Sequence, residues 1–98
     1  MHLIQIENVL EEKAKQMGKV HSHEKVDILN IQMRQGEFIP EHNVNNVAVV
    51  TVRKGKVRFN VEGVDHLLTA QDVLILDPLE MHSLEALEET EIVVVKVN

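Results

Sequence analysis

Ninety-eight residues are enough for one domain with one modest core, since a chain of this length buries roughly two thirds of the surface its unfolded form exposes. Hydrophobic residues make up 44% of the chain and aromatic ones only 2%, Phe38 and Phe59 being the two, so a base-stacking surface has almost nothing to be built from. A formal charge of −6 without any cluster of Lys or Arg argues against nucleic acid as a partner, and the absence of cysteine removes disulfides and thiolate sites.

The opening residues, MHLIQIENVLEEKAK, carry acids early and lack the basic start and apolar run of a secretory signal. No stretch approaches the roughly 20 apolar residues of a membrane span. The expected protein is soluble and cytoplasmic, one domain over residues 1–98, with residues 1–25 as an arm and 26–97 as a barrel.

Within the arm, residues 3–6 have the look of a short edge strand. From Asn8 the pattern becomes helical. Asn8 can cap with Glu11 three residues on, Leu10, Ala14 and Met17 fall at i, i+4 and i+7, and Gly18 follows as a stop. One short N-terminal helix is predicted.

Beyond Gly18 the signals are those of strands. Residues 20–24 read as extended, and residues 26–33 (VDILNIQM) as a stronger strand that ends at Arg34-Gln35-Gly36-Glu37. Residues 47–52 (VAVVTV) are apolar on both faces, which predicts a strand deep in the structure. Lys54-Gly55 marks a tight turn, and residues 56–61 then alternate, with Val57, Phe59 and Val61 on one face and Lys56, Arg58 and Asn60 on the other. Further strands are expected at residues 64–68, 73–76, 82–87 and 92–97, separated by Glu62-Gly63, residues 69–72, Asp77-Pro78 and Glu88-Glu89-Thr90. Strands recurring every 8 to 12 residues or so indicate a sandwich or closed barrel, and closure removes unpaired edges.

Two segments carry the chemistry: residues 36–55 (GEFIPEHNVNNVAVVTVRKG) and residues 71–86 (QDVLILDPLEMHSLEA). On them the chain resembles a small single-domain cupin, whose motifs run G-x5-H-x-H-x3-E-x6-G and G-x5-P-x-G-x2-H-x3-N. Gly36, His42 and Gly55 stand where the first motif places its opening glycine, first histidine and closing glycine, while its second histidine falls on Val44 and its glutamate on Ala48. His82 matches the histidine of the second motif. That motif's glycines fall on Gln71 and Leu79, its proline on Asp77 and its asparagine on Ala86. The resemblance spans residues 26–97. It implies an all-β, double-stranded β-helix (jelly-roll) cupin barrel, pairing as a homodimer through the N-terminal strand or residues 92–97.

Cupins of this kind hold a divalent metal, iron, manganese, nickel or zinc, on three histidines and a glutamate. Here Val44 and Ala48 occupy two of the four ligand positions. Strand parity puts residues 42, 44, 48, 50 and 52 on one face, so what remains is His42 and His82 beside a hydrophobic wall. His66, with the parity of Val64 and Leu68, is the candidate third ligand. Glu41 and Glu80 adjoin the histidines but read as solvated loop acids, and His21 and His23, two apart, would share a strand face and could bind a metal themselves or through a symmetry mate.

Three functional readings follow. In the first, a binding module for sensing, storage or regulation holds a small, partly apolar molecule in a pocket of His42, Val44, Ala48, Val50, Val52, Phe59, Met81 and His82. In the second, a metal-dependent enzyme of dioxygenase or isomerase type uses His42 and His82 as ligands, with His66 or a rim glutamate. In the third, the chain is a stand-alone relative of the cupin domains fused to transcription regulators and acts through a protein partner. Met17 and Met33 read as core side chains.

Overall fold

A computed structural model describes the whole chain, Met1–Asn98, as nine strands and no helix. These are β1 (Lys15–His23), β2 (Val26–Met33), β3 (Phe38–His42), β4 (Val47–Lys54), β5 (Val57–Val61), β6 (Val64–Leu68), β7 (Val73–Leu76), β8 (His82–Ala86) and β9 (Thr90–Val97). They form two antiparallel sheets, one of five strands in the order β1-β2-β9-β4-β7 and one of four in the order β3-β8-β5-β6. No helix is long and apolar enough to cross a membrane.

The apolar spacing explains this layering. In β4 the inward residues Ala48, Val50 and Val52 are buried, and the outward Val47, Val49 and Thr51 stay partly covered, as expected for a strand flanked by β7 and β9. In β5, Val57 and Phe59 are buried while Arg58 is exposed, so the alternation seen in the sequence becomes a barrel wall with one wet face. Ile31, Met33, Ile92 and Val94 answer from the five-stranded sheet, and Leu84 and Ala86 from the four-stranded one. Gly55 makes its turn at φ +85°, and a side chain there would run into the carbonyl of Glu89 and the hydroxyl of Thr90.

The predicted N-terminal helix does not form. Asn8 does cap, its Oδ1 accepting the Leu10 N–H at 2.9 Å, but the only turn that follows is closed by Glu12 and Lys13 donating to the Val9 carbonyl at 3.0 and 3.1 Å. From Lys15 the chain is extended and pairs with β2 along its whole length. A stripe of three apolar residues cannot compete with a full ladder to a core strand, and tertiary pairing overrides so weak a local preference. Residues 3–6 form no strand either. Met17, expected in the core, lies opposite Ile31 on the sheet's first strand and is 51% exposed.

What holds the arm is a side chain that imitates a peptide group. The amide of Gln32, 2% exposed, accepts the Val9 N–H at 2.9 Å and donates to the Glu7 carbonyl at 2.8 Å and to Asn30 Oδ1 at 2.9 Å. Arg34 adds a bond from Nε to the Leu10 carbonyl at 2.8 Å, and Leu10 itself is buried. Replacing Gln32 by Leu removes both backbone partners at once. Since each buried polar group left unpaired costs about 1–3 kcal/mol, the Gln32→Leu variant is expected to lose about 2 kcal/mol or more in urea denaturation and to be cleaved sooner in residues 1–14 by limited proteolysis.

Candidate functional site

The site begins with an irregularity in β3. Ile39 pairs with Leu84 and His42 pairs with His82, so three steps on β3 match two on β8 and the register shifts across Pro40 and Glu41. Proline, which has no N–H to give a ladder, is accommodated at such a bulge on an edge strand. Ile39 and His42 consequently both face the interior, although uninterrupted alternation would put them on opposite faces. The ladder then sets His42 directly across from His82, with ring centroids 4.2 Å apart and planes at 60°.

The two rings are anchored in the same way. Nδ1 of His42 is 2.9 Å from the Pro40 carbonyl, and Nδ1 of His82 is 2.9 Å from the Glu80 carbonyl. A carbonyl only accepts, so Nδ1 carries the hydrogen in each ring, and in the neutral form each Nε2 is a free lone pair. His82, 5% exposed, also stacks on Phe59 at 5.8 Å and 18°. Burial lowers its pKa below the usual 6.5, and the neighbouring His42 lowers it further, against an opposing contribution from the Glu80 carbonyl.

Around the imidazoles lies a cavity of about 100 Å3. Its wall is hydrocarbon from both sheets, including Val44, Ala48, Val50, Phe59, Leu76 and Val94. Besides the histidines, its one polar side chain is Lys96, on the face of β9 that also presents Ile92 and Val94. A shallow depression of about 380 Å3, lined by Lys15, Met17, Ile39, Pro40, Glu41 and His42, shares Met17, Ile39 and His42 with the cavity and forms its approach. The largest depression, about 420 Å3, lies elsewhere, on the outer face of the four-stranded sheet, where the Arg58–Glu85 pair at 2.7 Å crosses it. It contains no imidazole.

Six of the eight pocket residues named from the sequence therefore line the cavity: His42, Val44, Ala48, Val50, Phe59 and His82. Val52 does not, because it is packed in the core opposite Ile92, beyond the cavity's end. Met81 does not either, since its position before His82 gives it the opposite parity, and its Sδ lies 3.3 Å from the Asn43 amide at the rim. His66 pairs with Phe59 and has inward parity, but β6 is an edge strand and the ring is exposed. Glu80 accepts the Asp77 N–H at 2.7 Å as a loop acid. Lys96 and Met17 are among the lining residues that the sequence reading did not name. The alternation of Ile92, Val94 and Lys96 was a readable signal for the first, whereas the second was hidden by the helical stripe.

These donors do not fit the metal centre of the resembled family. Two neutral nitrogens converge, Val44 and Ala48 stand in place of the other two ligands, no carboxylate lines the cavity, and the one charged residue that does is Lys96.

The AraC-like ligand binding domain family matches residues 28–97. The chain belongs to that family. Solved cupins superpose on this ligand-binding domain almost end to end. A rmlc-like cupin with a double-stranded β-helix fold from Methanocaldococcus jannaschii has a TM-score of 0.85 at 20% identity, covering 99% of this chain and 90% of that one. A cupin superfamily protein from Desulfitobacterium hafniense has 0.81 at 15%, covering 94% and 83%. KdgF from Halomonas sp. has 0.79 at 19%, covering 98% and 87%. No curated protein matches in sequence. At these identities the superpositions establish the cupin fold and leave the ligand to the chemistry of the cavity.

In this domain the buried imidazole has a measurable signature. The folded pKa of His82 lies below the unfolded value of 6.5, so between the two the unfolded chain binds more protons. The favourable contribution of neutral His82 is complete above about pH 6.5 and declines as pH falls through that window. His82→Phe is expected to flatten this part of a plot of urea midpoint against pH, and NMR titration of the wild-type ring should give a midpoint below 6.5. An equally steep decline in the variant would assign the acid sensitivity to other groups.

Proposed function

We propose that this cupin is a binding module that holds one small, partly apolar molecule inside the barrel, and that it serves sensing or regulation without turnover. The observation that carries this reading is the matched pair of histidines whose Nδ1–H groups are spent on backbone carbonyls, leaving two Nε2 acceptors over a hydrocarbon wall. Such a pair selects a hydrogen-bond donor, a hydroxyl or an N–H, on a ligand whose remainder is aliphatic. Lys96 is suited to a carboxylate or carbonyl at the other end. A cavity of about 100 Å3 lies below the roughly 300–1,000 Å3 usual for small-molecule sites, so the ligand is of few heavy atoms. Cytoplasmic work is in keeping with a chain without cysteine.

The test is a fragment screen by NMR with small aliphatic alcohols, hydroxy acids and amides. Binders are expected to shift His42, His82 and Ala48, and Val44→Phe, which fills the cavity from its rim, is expected to weaken them tenfold or more, about 1.4 kcal/mol. Shifts confined to the outer surface, or binding indifferent to Val44→Phe, would overturn the reading.

We further propose a homodimer through the outer face of the five-stranded sheet. Val49, Thr51, Val73, Ile75, Val93 and Val95 share that face without a charge among them, and Val73 and Ile75 are 65% and 60% exposed. This aliphatic patch, bounded at one end by the Arg53–Glu91 ion pair at 3.4 Å, favours a second copy, because sheet-on-sheet packing about a twofold axis asks for no opposite charge. Light scattering at about 100 μM is expected to give a dimer for the wild type and a monomer for Ile75→Lys. A monomeric wild type would overturn the assignment.

A further inference from the structure

A second irregularity lies at the other end of the molecule. In the ladder of β1 with β2, Met17 is opposite Ile31 and Lys19 opposite Leu29, but the next pair is His21 with Ile28, so Val20 is an extra residue on β1. Ile31 and Leu29 face the cavity side of the sheet, whereas Ile28 and Val26 share the outward parity of Asn30 and Gln32. The bulge therefore reverses the strand's faces partway along. Met17 faces the approach to the cavity, and His21 and His23 face outward, towards the arm that Gln32 and Arg34 hold against the sheet.

The arm brings a third imidazole to them. His2 lies 4.9 Å from His21 and 5.5 Å from His23, and those two are 6.0 Å apart, centroid to centroid. One ring nitrogen from each lies within 4.8 Å of the others. In contrast to His42 and His82, none of the three spends a ring nitrogen on a carbonyl, so their lone pairs are free. Nitrogens around a tetrahedral Zn2+ with bonds of about 2.0–2.1 Å are about 3.3 Å apart, a closure that small side-chain rotations supply at a surface where His2 and His23 are exposed.

We propose that His2, His21 and His23 form a divalent transition-metal site, for zinc in the first instance, with water in the fourth position, that fastens the N-terminal arm to β1. Three neutral imidazoles favour zinc, copper or nickel over magnesium or calcium, which need oxygen ligands. The site is separate from the cavity, and none of its ligands touches His42 or His82.

The experiment uses the full chain without a histidine tag, titrated with Zn2+ by calorimetry and with Co2+ by visible absorption. One equivalent is expected to bind at micromolar concentration or tighter, with a tetrahedral cobalt spectrum, and zinc is expected to slow proteolysis within residues 1–14. His21→Gln and His23→Gln should each weaken zinc binding by tenfold or more, His2→Gln should do the same and abolish the protection of the arm, and His82→Ala should leave the affinity unchanged. Thermal midpoints measured in chelator identify any variant that misfolds, and His2→Gln, at an exposed position before the first strand, is the variant that does not depend on the sheet. No saturable binding below about 100 μM, or binding lost in His82→Ala and kept in His2→Gln, would overturn the site.

Discussion

Two sheets with almost no aromatic side chains between them can close only by interlocking branched aliphatics, and that requirement governs this molecule. Met33, Val57 and Ile92 are fully buried, and Val50 and Ala86 nearly so. Each such Val, Ile or Met contributes about 1.5–3 kcal/mol relative to exposure. The gain is available only while every strand keeps its apolar residues turned inward. A one-residue slip would send a whole row to solvent, so register is strongly specified wherever a strand has one buried face. The same lack of large rings leaves space. Where β4 presents Ala48 and the preceding loop presents Val44, the two sheets do not meet, and the gap becomes the cavity.

Polar groups inside such a shell are tolerated only when satisfied, and the histidine pair meets that condition economically. The two residues lie forty positions apart, are brought face to face by one rung of the β3–β8 ladder, and each is bonded to the carbonyl two residues before it. No buried side-chain nitrogen or oxygen is left without a partner. Binding capacity thus resides in the second nitrogen of each ring, which the scaffold does not need.

Most of the barrel was legible because its signals are periodic. The alternation of Val57, Arg58 and Phe59, the doubly apolar VAVVTV and the glycines at tight turns all report local requirements that the fold keeps. The arm was not legible. Leu10, Ala14 and Met17 have helical spacing, yet they are drawn into an Asx turn and an edge strand by Gln32 and by the ladder to β2, neither of which is visible from the arm's own residues. Parity served well for Val44, Ala48 and Val50. It could not say how deep along the barrel the cavity ends, which places Val52 in solid core, nor that β6 lies at an edge, which leaves His66 in solvent.

The bulge at Val20 limits how the chain can change over evolutionary time. A loop accepts the loss or gain of a residue because nothing downstream depends on its parity. In β1 the count between Met17 and His21 determines which of the two meets the barrel's approach and which meets the arm. Losing one residue there would exchange inside for outside along half the strand, while a substitution between Met17 and His21 leaves both faces where they are. This segment is therefore expected to drift in composition but to conserve its length.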